Sequence, residues 1–481
     1  MANVQLQPEQ PPVRVNPDEP ANRRYAYFVS FVAAVGGFLF GYDLLIISGA
    51  APIIKNYFSL SEGTFWGLNS FGLATSSGLI GCILGPSLGA YLCDRLGRKS
   101  TLIIAALLFA VGAIGTTFPP SINVFNLFRI LGGVGVGLAS LASPMYINEI
   151  APARKRGSLG LMYQFAVTIG ATSAVAVAWL LAKNLPDTTN WRWMFASILI
   201  PIAGFVVLLV RVPQSPRWLA EKNRDEEALA ILIKIDGPEN ARREMEEIKN
   251  SLTHETGSWS ELFRPGIRLA LFIGIMLGLF AQWTGWSGVA FYIPYLLQRG
   301  GYPVVSDAIG LTIYPMLVHV SLTIVAIWLV DRLGRRPLWM GTSVAMIVAL
   351  LLTALVFHLG LKGPIVILMI LLIAAPHAIG FGPLPWLMMS EIFPTRIRAR
   401  GVCISTTFLW IAGFSGPFAF PKLLNLSEDH IGSPAGIFLI YAVVSFLALL
   451  FGWFLLPETK GRSLEEIGGS WGKSQAPSPG K

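Results

Sequence analysis

The sequence predicts an all-α membrane protein with twelve transmembrane helices in two six-helix pseudo-symmetric halves. Residues of the AVILMFWYC set make up 53% of the 481 residues, whereas charged residues make up 13%, about half the share in a soluble globular protein. Twelve apolar runs are long enough to cross a bilayer, and three motifs of the first half recur in the second. This composition excludes a soluble enzyme, a disordered regulator and a nucleic-acid binder.

Each apolar run supplies the roughly 20 residues that a helix needs to cross the hydrocarbon. The polar, proline-rich residues 1–24 precede the first run and lack the short apolar core of a signal peptide, so we expect a cytoplasmic tail there. The twelve spans follow in order at 27–50, 66–92, 101–118, 123–147, 158–182, 192–211, 269–297, 307–330, 337–359, 364–389, 401–421 and 434–456.

Lysine and arginine in the short connections predict the orientation, because cytoplasmic loops carry an excess of these cations. The connections after odd-numbered spans hold six of them, whereas those after spans 2, 4, 8 and 10 hold twelve. Both termini are therefore predicted to be cytoplasmic, with the spans in the cell membrane. The net charge of +9 is thus a topology signal, and we expect no nucleic-acid partner.

The long connection 212–268 is predicted to be a cytoplasmic linker. Residues 217–264 contain eleven acidic and eight basic residues that alternate with apolar ones, which indicates short amphipathic helices; a disordered linker is the alternative. The chain then divides into an N-terminal tail 1–24, an N-terminal half 25–211, the linker 212–268, a C-terminal half 269–456 and a C-terminal tail 457–481.

Three motifs recur at equivalent places in the two halves, with an offset of about half the chain. One such similarity arises easily by chance, but three in register indicate two parallel six-helix repeats with a site between them, which is a transporter architecture. The pairs are Asp94–Lys99 with Asp331–Arg336, Glu149–Arg154 with Glu391–Arg396, and Pro213–Arg217 with Pro457–Arg462.

The basic turns after spans 2 and 8 resemble the signature loop of the major facilitator superfamily. Pro213–Leu219 and Pro457–Arg462 resemble the marks of its sugar porter family, and the likeness runs from about Arg24 to Ile467. The resemblance implies the major facilitator fold and transport of a sugar by alternating access. It implies no covalent chemistry, so we expect no enzyme activity, no cofactor and no bound metal.

Acidic and basic residues of the repeated turns lie at the predicted cytoplasmic ends of the spans. The resemblance implies that they bridge the two halves when the cytoplasmic side is closed and separate when it opens. Anchoring of the topology is the alternative, but it explains only the cations. The implied cytoplasmic gate consists of Arg98, Glu149, Arg154, Arg335, Glu391 and Arg396.

One acid and one base, Asp43 and Arg129, lie within the apolar centres of the predicted spans. Each costs roughly 2.5–3.5 kcal/mol at a helix centre, so an unpaired charge is disfavoured. Span 1 runs outward and span 4 inward, which places both residues at similar depth in the outer half and predicts an ion pair. A carboxylate that alternates between pairing and protonation is a proton switch; a purely structural pair is the alternative. Gly41–Asp43 resembles the first-helix motif of bacterial proton-coupled sugar symporters.

The resemblance also implies a central cavity with amides for sugar hydroxyls and aromatic faces for sugar C–H groups. The sequence departs from the family pattern where Ala281 and Ser287 replace amides, His319 replaces an Asn and His377 replaces an aromatic residue. The implied substrate contacts are Gln164, Gln282, Ser287, His319, His377, Trp386 and Trp410, and the implied outer lid is Phe291 and Tyr292.

These observations predict a monomeric secondary active transporter in the lipid bilayer that moves a sugar or polyol together with protons. The two added imidazoles would also fit a modified sugar or an acidic sugar derivative, or they form hydrogen bonds to neighbouring helices. The alternatives to symport are a proton-independent facilitator and a non-transporting solute sensor, which would usually carry longer cytoplasmic extensions than tails of about 24 residues.

Overall fold

In hydrocarbon the backbone N–H and C=O groups of an apolar segment need hydrogen-bond partners within the protein, and a helix supplies them internally. The structure, a computed structural model, describes residues 23–62, 70–151, 156–253, 258–265, 267–394 and 397–460. Within these ranges, twelve helical stretches are long and apolar enough to cross a membrane. The predicted class, an all-α membrane protein with twelve transmembrane helices, is confirmed.

The spans keep the numbers given above, and most are longer than the apolar runs. In the N-terminal half the helices are Arg23–Tyr57, Phe71–Leu96, Arg98–Thr117, Ile122–Ile150, Arg156–Asn184, and Asn190–Ala196 with Leu199–Val210 for span 6. In the C-terminal half, span 7 comprises Ile267–Trp283, Trp286–Phe291 and Ile293–Arg299, and span 8 comprises Val305–Leu311 and Ile313–Leu333. The remaining helices are Arg335–His358 for span 9, Pro364–Pro376 and Pro383–Glu391 for span 10, Arg398–Ile431 for span 11 and Ala435–Phe454 for span 12.

Spans 1 and 11 extend well beyond their predicted ends. Span 1 reaches Tyr57 rather than residue 50, and span 11 reaches Ile431 rather than residue 421. The expected ends were set where the apolar run stops, but the helices continue through charged residues that form ion pairs at the end of the bundle. Lys55 of span 1 pairs with Glu62, and Glu428 of span 11 pairs with Arg299.

Two spans of the C-terminal half are interrupted near their middle. In span 7, Gly285 adopts φ +113°, a conformation open to glycine at little cost. In span 10, a π-helical turn covers His377–Phe381, and Pro383 begins the next helix without a backbone N–H to donate. Trp286 follows the first interruption and His377 begins the π-helical turn, a type of turn that often lies at functional sites.

Spans 2 and 4 pack with their backbones almost in contact. A Cβ atom added to Gly85 would lie 2.4 Å from the Cα of Gly137, and one added to Gly133 would lie 1.8 Å from the carbonyl oxygen of Gly78. Only glycine permits this approach, as is common between membrane helices. The tight contact fixes span 4, and with it Arg129, against span 2.

The linker forms a small helical layer with its own apolar cluster. Its helices are Pro216–Glu221, Asp225–Asp236 and Pro238–Thr253. Leu232 and Met245 pack with Trp218 in that cluster, and Trp218 Nε1 donates a hydrogen bond of 3.1 Å to the carbonyl of Asp94 at the end of span 2. We call this side of the bundle the linker face and the other side the opposite face.

Candidate functional site

A cavity of about 170 Å³ lies between the two halves. It is smaller than the roughly 300–1,000 Å³ of sites for drug-sized ligands, so its size suits a small solute. Spans 1 and 5 of the first half and spans 7, 8 and 10 of the second contribute side chains. The polar lining residues are Gln164, Thr168, Thr172, Gln282, Ser287, His319 and His377, and the larger apolar ones are Phe40, Leu44, Leu45, Trp286, Phe291 and Met316.

The structure thus brings together five of the seven predicted substrate contacts, whereas Trp386 and Trp410 do not line this cavity. Trp410 packs edge-on against the lining residue Phe40, with ring centroids 5.6 Å apart. Its buried indole Nε1 has no hydrogen-bond partner among the described residues. Trp386 is half-buried against the apolar core. Trp410 therefore packs behind the lining residue Phe40.

The two histidines contact each other on the wall that belongs to the C-terminal half. His319 Nε2 and His377 Nδ1 are 3.0 Å apart. Trp286 stacks on the His319 ring at a centroid distance of 5.3 Å and an interplanar angle of 19°. Their side chains thus form one hydrogen-bonded aromatic group rather than two separate contacts.

Asp43 and Arg129 are both buried and directly paired. Arg129 Nη1 donates to Asp43 Oδ1 at 2.9 Å, and Nη2 donates to the backbone carbonyl of Asp43 at 3.2 Å. The guanidinium also lies over the Phe195 ring, 5.5 Å from its centroid. Among the described residues, Asp43 Oδ2 has no hydrogen-bond partner. One carboxylate oxygen is thus held by the cation while the other is available for a proton.

The predicted lid residues lie between the cavity and the opposite face. Phe291 lines the cavity. The Tyr292 hydroxyl contacts Thr75 of span 2 and donates to the carbonyl of Pro417 at 2.8 Å, and its ring stacks on Phe420 at 4.8 Å. Tyr292 therefore ties span 7 to span 2 of the other half and to span 11 of its own half.

An ionic cluster, which sequence reasoning missed, joins the two halves at the opposite face. Glu62 of the N-terminal half pairs with Lys55 and accepts a hydrogen bond from Tyr295 of the other half. Arg299 Nη2 lies 3.6 Å from Glu62 and donates to the Tyr295 hydroxyl at 2.6 Å. Burial alone would raise the pKa of Glu62, but the hydrogen bonds from Lys55 and Tyr295, with the charges of Lys55 and Arg299, together lower it. We call Lys55, Glu62, Tyr295, Arg299 and Glu428 the opposite-face latch.

The three repeated motifs of the N-terminal half meet at the linker face. Arg98 Nη2 donates to Glu149 at 2.7 Å, and Ser215 donates to the other oxygen of that carboxylate at 2.5 Å. Gln214 accepts from the backbone N–H of Lys99 at 3.3 Å and donates to the carbonyl of Leu96 at 3.1 Å. The ends of spans 2, 3, 4 and 6 are thereby joined.

The C-terminal half repeats this arrangement. Arg335 Nη2 donates to Glu391 at 2.8 Å, and Thr459 donates to Glu391 at 2.6 Å. Glu458 takes the place of Gln214 and accepts from the backbone N–H groups of Arg335 and Arg336, both at 3.1 Å. Burial alone would raise the pKa of Glu458, but backbone hydrogen bonds, first that from Lys460 at 2.8 Å and then those from Arg335 and Arg336, lower it.

In this structure the described gate charges pair within each half: Arg98 with Glu149 and Arg335 with Glu391. The expected bridges between the halves stay a prediction. Arg154 and Arg396 lie outside the described residues. The repeated motifs also contain Gln214 and Ser215 in the first half and Glu458 and Thr459 in the second, each pair 244 residues apart. This shared offset is the sequence signal for their equivalent contacts.

Known proteins resemble this chain over nearly its whole length. A family model described as sugar (and other) transporter matches residues 29–471. This chain belongs to the sugar transporter family. The arabinose-proton symporter of Bacillus subtilis is 37% identical over 472 residues, which cover 96% of this chain and 99% of the relative. The D-xylose-proton symporter of Escherichia coli K12 is 36% identical and covers 94% and 96%.

Solved structures agree with the fold. The inward-open xylose transporter XylE from Escherichia coli is 34% identical and superposes with a TM-score of 0.80, over 93% of this chain and all of XylE. A XylE structure with bound 6-bromo-6-deoxy-D-glucose, described as a major facilitator superfamily proton:xylose symporter, gives a TM-score of 0.78. The predicted family and the major facilitator fold are confirmed, and the protein is an integral membrane transporter.

Proposed function

We propose that this protein is a proton symporter that carries a sugar or related polyhydroxylated solute by alternating access. The observation that supports it most directly is the buried Asp43–Arg129 pair, in which Asp43 Oδ2 has no partner among the described residues. A buried acid is costly in a membrane span unless it serves ion movement or is compensated. The family membership and the named sugar-proton symporters among the relatives support the same function.

In the proposed cycle Asp43 binds a proton in the state that faces outward. The protonated carboxyl holds Arg129 less strongly, because the charge attraction is lost while the hydrogen bonds remain. Span 1 carries Asp43 and also lines the cavity through Gly41 and Leu44, so proton binding and solute binding act on one helix. The proton is released to the other side when Arg129 pairs with the carboxylate again.

The gates then determine which side of the cavity is accessible. The opposite-face latch and Tyr292 hold the halves together in this structure, and the paired clusters at the linker face stiffen each half. We propose that Arg98, Glu149, Arg335 and Glu391, with Arg154 and Arg396, form the gate of the linker face. We assign this face to the cytoplasmic side of the cell membrane, because the basic turns lie there. Both termini then belong to the cytoplasmic side, and a single chain contains both halves of the site, so a monomer suffices.

Uptake by purified protein in lipid vesicles tests this function. Addition of arabinose, D-xylose or galactose to vesicles without an imposed gradient should alkalinise the outside medium as each solute enters with a proton. Asp43→Asn should abolish the pH change, and Asp187→Asn, a carboxylate exposed at the end of span 5, should not. Sugar entry without any pH change would identify a facilitator instead, and binding without entry would identify a sensor.

A further inference from the structure

Asp43 and Arg129 lie inside the N-terminal half, beside the solute cavity rather than in it. Gly41 and Leu44 of span 1 line the cavity, but Asp43 is not among the described residues that do so. A Cβ atom added to Gly78 of span 2 would lie 3.1 Å from Arg129 Nη2, so the ion pair lies between spans 1, 2 and 4. A proton that binds Asp43 therefore has to enter this space.

Asn126 lies one helical turn from Arg129 on span 4, on the side of the opposite face. Span 4 ends at the linker face, so its first turns lie at the opposite face, where Phe125 packs against Phe58 with ring centroids 6.5 Å apart. Residues three apart on a helix have Cβ atoms about 5–6 Å apart, and helical side chains lean toward the start of their helix. The Arg129 side chain thus leans toward Asn126, which lies between the opposite face and the Asp43–Arg129 pair.

The amide of Asn126 is buried, and its hydrogen-bonding groups are unused. The residue is 6% exposed, and neither Nδ2 nor Oδ1 has a hydrogen-bond partner among the described residues. The same is true of Arg129 Nε and Asp43 Oδ2. The two nitrogen atoms are donors and the two oxygen atoms are acceptors. Buried polar groups without a partner are costly, and water, which both donates and accepts, commonly satisfies such groups where several of them meet.

We propose that Asn126 is a positioning residue of a proton route from the opposite face, in which bound water bridges its amide to Arg129 Nε and Asp43 Oδ2. When Asp43 is loaded, this water gives one proton to Oδ2, where an O–H bond forms, and receives one proton from water on the side of the opposite face. The bound water is thereby restored, and Asn126 keeps its own hydrogens throughout. This inference rests on the proposed function, because it assumes that Asp43 is the proton switch.

Two variants of equal shape test the route. Asn126→Val has no hydrogen-bonding side-chain group, whereas Asn126→Thr has a hydroxyl in place of one methyl. Arabinose, D-xylose or galactose is added at a saturating concentration to vesicles that contain the full chain, and the initial rate of alkalinisation outside is measured. In Asn126→Val this rate should fall about tenfold, the equivalent of about 1.4 kcal/mol in the barrier, because the water loses a partner that holds it. Asn126→Thr should keep most of the wild-type rate.

Counterflow separates a blocked proton route from a damaged carrier. Exchange of solute between two loaded sides needs no net proton movement, so it should run at the wild-type rate in both variants. Asn184→Val replaces an exposed asparagine at the end of span 5 and should change neither rate. If Asn126→Val does not assemble, Asn126→Leu takes its place in the comparison, because leucine has the same number and branching of side-chain heavy atoms as asparagine.

Three results would overturn the role of Asn126. Equal alkalinisation rates in the wild type and Asn126→Val would show that the proton reaches Asp43 without this amide. Equal losses in Asn126→Val and Asn126→Thr would show that packing rather than hydrogen bonding sets the rate, and an equal loss of counterflow would show a general defect of the carrier. If the wild type itself gives no pH change with any of the three sugars, the proposed function fails, so the two failures are distinguished.

Discussion

Asp43→Asn separates the proton switch from a structural ion pair. The asparagine side chain keeps an oxygen that accepts from Arg129 Nη1, now at 2.9 Å, and the 3.2 Å bond to the backbone carbonyl of residue 43 does not involve the side chain. Only the charge and the capacity to bind a proton are removed. The variant should therefore resemble a permanently protonated carrier that still binds solute and exchanges it between two loaded sides.

The expected loss can be calculated. If Asp43, the acid within the apolar centres of the spans, carries the proton, one proton accompanies each solute. A difference of one pH unit across the vesicle membrane then supplies about 1.4 kcal/mol and supports at most about tenfold accumulation. Asp43→Asn should lower this ratio to about one. Deleting one partner of a buried ion pair costs about 3–5 kcal/mol of stability, and we expect a smaller loss here because the hydrogen bonds persist.

Solute accumulation in vesicles with an imposed pH gradient measures the coupling to protons. Counterflow measures the exchange of solute between two loaded sides. Counterflow should persist in Asp43→Asn at a rate comparable with the wild type. Asp43→Glu is the matched control, because it restores a titratable carboxyl and should recover part of the accumulation. Accumulation of about tenfold in Asp43→Asn, under conditions where the wild type reaches the same value, would refute the proton switch.

Three further changes test the cavity, the gate and the latch. Gln282→Ala should weaken sugar binding roughly 5- to 150-fold in calorimetry, because a buried hydroxyl loses an amide partner worth about 1–3 kcal/mol. Glu391→Lys breaks the pair with Arg335 and should increase the labelling of a thiol introduced at the linker face, since the end of span 10 is released. Glu62→Gln should shift the population toward states open at the opposite face by about fivefold, the equivalent of about 1 kcal/mol for a partly buried ion pair. A reactive thiol near span 7 at that face reports the shift.

Matched substitutions serve as controls for these three. Gln298→Ala removes a half-buried amide outside the cavity lining, and Glu239→Lys reverses an exposed charge on the linker. Sugar affinity equal to the wild type in Gln282→Ala would place the solute elsewhere. If thiol labelling in Glu391→Lys matches that in Glu239→Lys, the linker-face cluster only anchors the topology.

The latch also has a defined pH dependence. Because the pKa of Glu62 is lowered in the closed latch, its contribution is fully present above the ordinary carboxyl value and is lost as the pH falls through the lowered pKa. Wild-type labelling should therefore be constant around neutral pH and rise only in strong acid, whereas Glu62→Gln should show the raised level throughout. A wild-type rise near neutral pH would exclude Glu62 as the titrating group.

Sequence reasoning succeeded where a strong energetic constraint acted on few residues. The cost of an unpaired charge in hydrocarbon predicted that Asp43 would pair with Arg129. The repeated motifs indicated equivalent positions in both halves, but not that their charges pair within each half. Sequence reasoning could not predict that His319 and His377 touch, because helix rotation about its axis is set by packing rather than by apolar length. The π-helical turn at His377 is likewise a feature that apolar length does not predict. The ends of spans 1 and 11 were missed because the latch neutralises charges that otherwise end an apolar run.

Span 1 connects the separate parts of the proposed mechanism. Asp43 belongs to it, Gly41 lines the cavity, Ser48 donates to the carbonyl of Ala290 in span 7 at 2.9 Å, and Lys55 enters the latch. Its contact with span 5 is close, since a Cβ atom on Gly41 would lie 1.9 Å from the carbonyl oxygen of Val167. A change in the pairing of Asp43 would thus act on the helix that also lines the cavity and carries Lys55 of the latch. Proton binding can therefore shift the population between the two open states only by the difference in Asp43 proton affinity that those states create.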